Sequence, residues 1–291
     1  MIDLTNMQKG IIFTMISAIV YGISPVLIKS AYDGGATAAS VAFLRILSLP
    51  VLLAIMRTKK ISLSLTRRET KDVIISCGVG FGITTLLLFG SYAHISVGMA
   101  TNLHFIYPIT VSVVCVCFFH DKFSMRMAFA LVMCTAGVFL FMENTPGTGA
   151  GTKGIVMALV SGLTYAFFLV YVDKSEMKNM NHFKLSFWLS IMLTIFFGVY
   201  GTLTETLVLN LTKTAWIICA ANSILCAVVA VTALQIGIQL SGAATASILS
   251  TLEPITSFVL GVMILGEAYS TAKIIGVVCV VAAVLTVSVK K

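Results

Sequence analysis

The sequence has very little charge for its length. Only 10% of its 291 residues are Asp, Glu, Lys or Arg, while 58% are hydrophobic and the mean hydropathy is +1.04. A water-soluble domain of this size needs far more polar surface, so this composition excludes a soluble protein.

Recognisable enzyme motifs are also missing. The chain has no nucleophile elbow, Walker sequence or zinc-binding His-Glu-x-x-His. An ATP-driven pump is therefore excluded for a chain that acts alone, and we expect no enzymatic activity, cofactor or metal site. A membrane-embedded enzyme acting on a lipid-type substrate remains an alternative, but it would need paired carboxylates or a metal cluster at one membrane face. A passive small-solute channel is a third reading, and it would place polar groups along a whole helix.

No cysteine falls in a predicted outer loop. All seven lie inside predicted apolar spans, so we expect small buried hydrophobic residues and no disulfide framework. They are Cys77, Cys115, Cys117, Cys134, Cys219, Cys226 and Cys279.

What the chain does have is ten apolar segments. A hydrocarbon core of about 30 Å needs about 20 apolar residues per helix, so ten helices would use about 200 residues. This predicts an all-α integral membrane protein with short loops. The predicted spans are 8–31, 37–56, 72–91, 97–119, 125–142, 153–172, 184–202, 215–237, 242–265 and 271–289.

The ten segments form two matched sets of five. Gly10, Ser17 and Tyr21 recur 144 positions later, and a set that includes Pro108 recurs 146 positions later. Because five is odd, the second set is inverted in the membrane, an arrangement typical of secondary transporters. We therefore predict two inverted five-helix repeats, 1–145 and 152–291, joined by the Gly- and Pro-containing stretch 143–151.

Basic residues are distributed unequally between the loops. With a cytoplasmic N-terminus, 14 of the 19 Lys and Arg residues fall in inner loops, four in outer loops, and Arg45 within a span. The positive-inside rule thus places both termini in the cytoplasm of a multi-pass protein of the cell (inner) membrane. The net charge of +8 sets topology, and no soluble basic face is left to bind nucleic acid.

Polar side chains inside the spans are the candidate solute ligands, because each is costly unless it faces the protein interior or water. In the ninth span, Ser250 and Glu253 share a helical face beside Pro254. The repeat places His104 and Tyr107, followed by Pro108, at the matching positions. Asn102 adds a further amide nearby.

The first helix of each repeat carries a second polar stripe. Ser17, Tyr21 and Ser24 share one face, and Ser161 and Tyr165 share the equivalent face. Pro25 predicts a helix break just beyond Tyr21, as Pro108 and Pro254 do in their own spans.

Each candidate also has a structural interpretation. The tyrosines could hydrogen-bond between helices, His104 could be a packing residue, and Glu253 could pair with Arg45 or cap the broken helix. Arg45 has no counterpart in the second half and is predicted to be structural.

The small residues 242–247, the sequence Leu252-Glu253-Pro254 and the following Leu-Gly-Glu at 265–267 form a recognisable pattern. This pattern resembles the ten-helix EamA-type carriers of the drug/metabolite transporter superfamily, and Arg45 matches that family's second-helix arginine. The first half departs from the family pattern, with Tyr107-Pro108 and Phe119-His120-Asp121 where small residues or Gly-Glu are common. The resemblance covers essentially the whole chain and implies ten helices around a central cavity. It does not indicate the substrate, because members carry amino acids, amines, nucleobases, drugs and other metabolites.

We therefore expect a secondary active transporter, either an exporter or an exchanger, that works by alternating access. Aromatic rings beside one carboxylate suit a small polar metabolite such as an amino acid or amine. A proton or a cationic group could each neutralise Glu253, so proton coupling is a hypothesis. The expected partners are the solute, protons and the lipid bilayer, and the oligomeric state, monomer or homodimer, is left open.

Overall fold

The computed structural model describes residues 5–91, 94–95, 97–122, 124–140, 151–265 and 270–288, and all regular structure within these ranges is helical. We number the helical segments as spans. Spans 1 to 5 are Asn6–Asp33, Ala38–Thr58, Arg67–Ser91, Val97–Phe119 with an interruption, and Met125–Leu140. Spans 6 to 10 are Thr152–Lys174, His182–Leu203, Lys213–Ser241, Ala243–Leu265 with an interruption, and Thr271–Ser288.

Nine of these spans are long and apolar enough to cross a membrane within the described ranges. Span 5 has 16 described residues and is apolar. Its predicted end at 142 and nearly all of the predicted joint 143–151 lie outside the described residues. The predicted all-α membrane architecture is confirmed.

Helix ends follow local capping chemistry. Span 3 begins at Arg67, five residues earlier than predicted, because Thr66 and Glu69 form a capping box. The Glu69 amide donates to Thr66 Oγ1 at 3.2 Å, and the Thr66 amide donates to Glu69 Oε2 at 2.7 Å. The last part of the charged stretch 57–71, predicted as a loop, is therefore helical.

Irregular helical segments occur at matching places in the two halves. Span 4 is interrupted after His104 and resumes at Tyr107, while span 9 is interrupted after Leu249 and resumes at Leu252. Spans 3 and 8 each contain a π-helical segment, Ser76–Gly82 and Leu225–Ala230. The repeat therefore extends to the departures from regular helix geometry, which are frequent at functional sites.

The main contacts between helices cross from one half to the other. Span 1 packs against spans 8 and 9, span 6 against spans 3 and 4, span 2 against span 7, and span 5 against span 10. Gly80 shows how close these approaches are, since a Cβ there would lie 2.9 Å from the Phe168 Cβ. The largest buried apolar cluster accordingly takes residues from both halves.

Ion pairs join the two halves at one end of the bundle. Lys174 Nζ, at the end of span 6, lies 2.7 Å from Asp121 Oδ2, just beyond span 4. Lys184 Nζ, in the first turn of span 7, lies 2.9 Å from Glu69 Oε1. This is the end that the charge distribution predicts to be cytoplasmic. An open cavity of about 500 Å³ lies at the same end, lined by Arg68, Lys71, Asp72, Lys174, Ser175, Glu176 and Asn179.

Candidate solute-binding site

The interruption of span 4 is caused by Pro108, which lies in the first turn of the helix Tyr107–Phe119. Proline has no amide hydrogen, so the carbonyl one turn earlier, that of His104, loses its usual helical donor. Gly162 of span 6 lies against this carbonyl, where a Cβ would come within 2.5 Å of the oxygen. The broken backbone is thus buried in protein, as irregular backbone at membrane depth must be.

Span 9 contains the equivalent break. Pro254 lies in the first turn of Leu252–Leu265, and the Glu253 amide donates to the Ser250 carbonyl at 3.0 Å. Glu253 lies in that same first turn, where the helix dipole favours a negative charge. Gly22 of span 1 lies against the Glu253 carbonyl, as Gly162 lies against that of His104.

Three of the predicted site residues form an aromatic cluster beside the break in span 4. The ring centroids of Tyr107 and Tyr165 are 4.8 Å apart at an interplanar angle of 87°, a favourable edge-to-face arrangement. His104 lies 5.3 Å from Tyr165 and 5.5 Å from Tyr107. His104 Nδ1 lies 2.9 Å from Ser161 Oγ, so one ring nitrogen is used inside the protein.

Tyr21 and Glu253 lie at the other side of this cluster. Gly22, next to Tyr21, packs against the Glu253 backbone, and Tyr21 and Tyr165 both pack against the largest buried apolar cluster, which contains Tyr107. The hydroxyls of Tyr21 and Tyr107 are buried and have no hydrogen bond of standard length. The structure therefore brings together five residues that the sequence selected, namely Tyr21, His104, Tyr107, Tyr165 and Glu253.

Two further candidates lie at the edge of the cluster. Ser250 is buried beside Tyr107, and its hydroxyl donates to the Ala246 carbonyl at 2.9 Å. Asn102 is buried on the helix before the break, and within the described ranges no hydrogen bond or ring contact joins its side chain to the cluster. A role of either residue in solute binding stays a prediction.

The prolines differ in their effect on the helices. Pro108 and Pro254 accompany real interruptions, whereas Pro25 lies inside the uninterrupted helix Asn6–Asp33, so the expected break at Pro25 is absent. In the turn that precedes Pro25, the Gly22 carbonyl accepts a hydrogen bond of 2.9 Å from the Ser257 hydroxyl of span 9. The carbonyl that Pro25 leaves without its helical donor is that of Tyr21, one residue before Gly22, so the Ser257 bond joins spans 1 and 9 and does not replace the missing donor.

Arg45, which the sequence analysis assigned to a structural role, lies at the edge of the cluster. Its guanidinium lies 5.4 Å from the Phe81 ring centroid, and that centroid is 6.2 Å from the centroid of Tyr165. An arginine inside an apolar span is rare and is one signal of function, whereas its lack of a repeat partner favours a structural role. The structural role stays a prediction.

Within the described ranges, no group of three or more His, Cys, Asp or Glu side chains gathers as a metal site would require. All seven cysteines are free, and Cys117 is exposed, contrary to the expectation that all are buried.

Comparisons with known proteins agree with this architecture. The chain is 25% identical over 224 residues to a Synechocystis sp. protein described as the uncharacterized transporter sll1319. The match spans 75% of this chain and 66% of that protein, which is just under two thirds of its length. A solved crystal structure shares the fold with a TM-score of 0.83 and 14% identity, covering 96% of both chains. The profile of the EamA-like transporter family matches residues 8–142 and 152–289. The chain belongs to the EamA-like transporter family, a family of multi-pass membrane proteins.

Proposed function

We propose that the protein is a secondary active transporter that moves a small polar metabolite, such as an amino acid or amine, across the cytoplasmic membrane. The observation that carries this proposal is that the two broken helices pack against each other beside Tyr21 and Tyr107, whose buried hydroxyls make no hydrogen bond of standard length. Buried polar groups without partners are costly, and a bound polar solute would satisfy them.

The chemistry of the cluster favours a solute with an ammonium group. Three tyrosine rings can contact a cation through their faces, and Glu253 can pair with it. The cluster lies between helices of opposite halves, so rocking of one half against the other would expose it to each side in turn. This is alternating access, as an exporter or as an exchanger.

The test is solute exchange in proteoliposomes. Vesicles containing purified protein are preloaded with one unlabelled amino acid or amine, and uptake of the same labelled compound is measured. We expect saturable exchange for the wild type and a loss of at least about tenfold for Glu253→Gln, since a charged hydrogen bond contributes about 1.5–3 kcal/mol. Glu205→Gln is the matched control, because Glu205 is an exposed loop carboxylate.

Two results would contradict the proposal. The first is the absence of exchange for every amino acid and amine tested while the protein remains folded. The second is uptake whose rate rises in proportion to the solute concentration without saturating, which is the behaviour of a passive channel.

A further inference from the structure

Arg45 is held at its main chain and extends towards the central cluster. It lies in the 3₁₀ segment Leu44–Ser48 of span 2, and its carbonyl accepts hydrogen bonds from Ser48 at 2.7 Å and Ser223 at 3.0 Å. Its guanidinium lies over Phe81, whose ring centroid is 6.2 Å from that of Tyr165. The backbone is thereby fixed while the charged end reaches the edge of the cluster.

The charge of Arg45 has no carboxylate partner among the described residues. None of their carboxylate oxygens lies within 4.0 Å of its guanidinium, and its Nε is buried without a hydrogen bond. A guanidinium at membrane depth is costly unless an anion or several acceptors compensate it. An anionic group of a bound solute would supply the missing partner, in a geometry for which the planar guanidinium is well suited.

Glu253 lies on the other side of the same cluster. Gly22, next to Tyr21, packs against its backbone, where a Cβ at Gly22 would lie 2.7 Å from the Glu253 carbonyl oxygen, and no ion pair joins Glu253 to Arg45 in the part of the chain that the structure describes. An arginine and a carboxyl group therefore lie on either side of one set of tyrosine rings without pairing with each other. Arg45 belongs to the first half and Glu253 to the second, so one solute that touched both would bridge the halves.

We infer that the solute is a zwitterion whose carboxylate binds Arg45 and whose ammonium group binds Glu253. This rests on the proposed function and narrows its substrate class from amines in general to amino acids. A simple amine would leave Arg45 without an anion. A simple carboxylate would leave Glu253 without a cation and would add a second negative charge. Selection would thus come from both poles at once.

The inference is tested with matched triplets of compounds. For each of the alanine, leucine and phenylalanine skeletons, the probes are the free amino acid, the amine that lacks the carboxylate, and the N-acetyl derivative that lacks the ammonium group. Binding to purified detergent-solubilised protein is measured by calorimetry and by the shift in unfolding midpoint. We expect the wild type to bind at least one amino acid about 10- to 100-fold more tightly than both of its derivatives.

Variants of Arg45 test whether this residue binds the carboxylate of the solute. Arg45→Gln should lose the preference for the amino acid over its amine while its affinity for the amine stays unchanged. Should that variant fail to fold, Arg45→Lys, which keeps the charge without the planar fork, should show a smaller loss of the same preference. Arg68→Gln is the control, because the Arg68 side chain is 84% exposed at the end of the bundle.

The outcomes separate this inference from the proposed function. Equal binding of an amino acid and its amine, or an unchanged preference in the Arg45 variants, would overturn the zwitterion inference alone. Binding of amines without any amino acid would do the same. Binding of none of the nine compounds by folded protein would overturn the proposed substrate class together with the inference.

Discussion

Lys174 Nζ lies 2.7 Å from Asp121 Oδ2 and 2.8 Å from Asp121 Oδ1, so one lysine binds both oxygens of a carboxylate in the other half. Asp121, just beyond span 4, is thereby connected to the end of span 6. Lys174 also lies 3.3 Å from Asp173, a buried carboxylate that Lys178 contacts on its other side. One lysine therefore compensates two carboxylates at the end of the bundle.

Lys174→Met should lower the unfolding midpoint of the protein. Hydrogen bonds to charged groups contribute about 1.5–3 kcal/mol each when the partner is left without a replacement, and Asp173 would keep only Lys178. Thermal unfolding in detergent measures the effect. Lys122→Met is the control, because Lys122 is exposed in the same loop. Equal midpoints for the two variants would show that the ion pair does not stabilise the protein.

Gly22→Ala should destabilise the contact between spans 1 and 9. The added Cβ would lie 2.5 Å from the Thr256 Cβ and 2.7 Å from the Glu253 carbonyl oxygen, and both neighbours belong to a packed helix. Overpacking of this kind costs about 1–3 kcal/mol. The measurement is the unfolding midpoint and the yield of monodisperse protein.

Gly78→Ala provides the comparison for that variant, since nothing lies within 4 Å of a Cβ at Gly78. Alanine there should be neutral or slightly stabilising, because alanine favours helix more than glycine does. A similar loss of stability in both variants would mean that the glycines contribute through local flexibility and that close packing at Gly22 is unimportant.

The sequence predicted the helices and two of their interruptions because both depend on local chemistry. Apolar length determines a membrane span, and Pro108 and Pro254 lack the amide that a regular helix needs. The break expected at Pro25 is absent, since span 1 runs without interruption from Asn6 to Asp33. Span 1 packs against spans 8 and 9, and the local sequence cannot show such tertiary contacts.

The irregular helical segments also could not be predicted from the sequence. The π segments Ser76–Gly82 and Leu225–Ala230 carry no periodic signal, and their matching positions became evident only from the structure. The repeat aligned Pro108 with Pro254, and the structure has an interrupted span at both. The structural role assigned to Arg45 stays a prediction, and the repeat could not show its packing over Phe81.

Membrane orientation is tested independently of the fold. The excess of Lys and Arg in alternate loops predicts that both termini are cytoplasmic and that the joint between the halves is outside. A reporter fused after Glu143 should therefore be active outside, and one fused after Lys291 should be active inside. The same location for both reporters would contradict an inverted repeat of five spans.

Glu253→Gln should uncouple transport from pH. If Glu253 binds a proton and the ammonium group of the solute in turn, the two compete, and protons that leave an acidic compartment drive the solute into it. Wild-type proteoliposomes with an acidic lumen should then accumulate labelled solute above its external concentration. The glutamine variant cannot exchange a proton at this position, so its residual uptake should be independent of the pH gradient.

Two comparisons make that experiment specific to Glu253. Glu205→Gln removes an exposed carboxylate and should leave the pH-driven accumulation unchanged. Addition of a protonophore should abolish accumulation in the wild type while exchange without a gradient continues. Full pH-driven accumulation by Glu253→Gln would show that the proton binds elsewhere. A glutamine at this place can still accept a hydrogen bond, but it cannot carry the charge that couples the two fluxes. In that case, Glu253 would act in solute binding or helix capping alone.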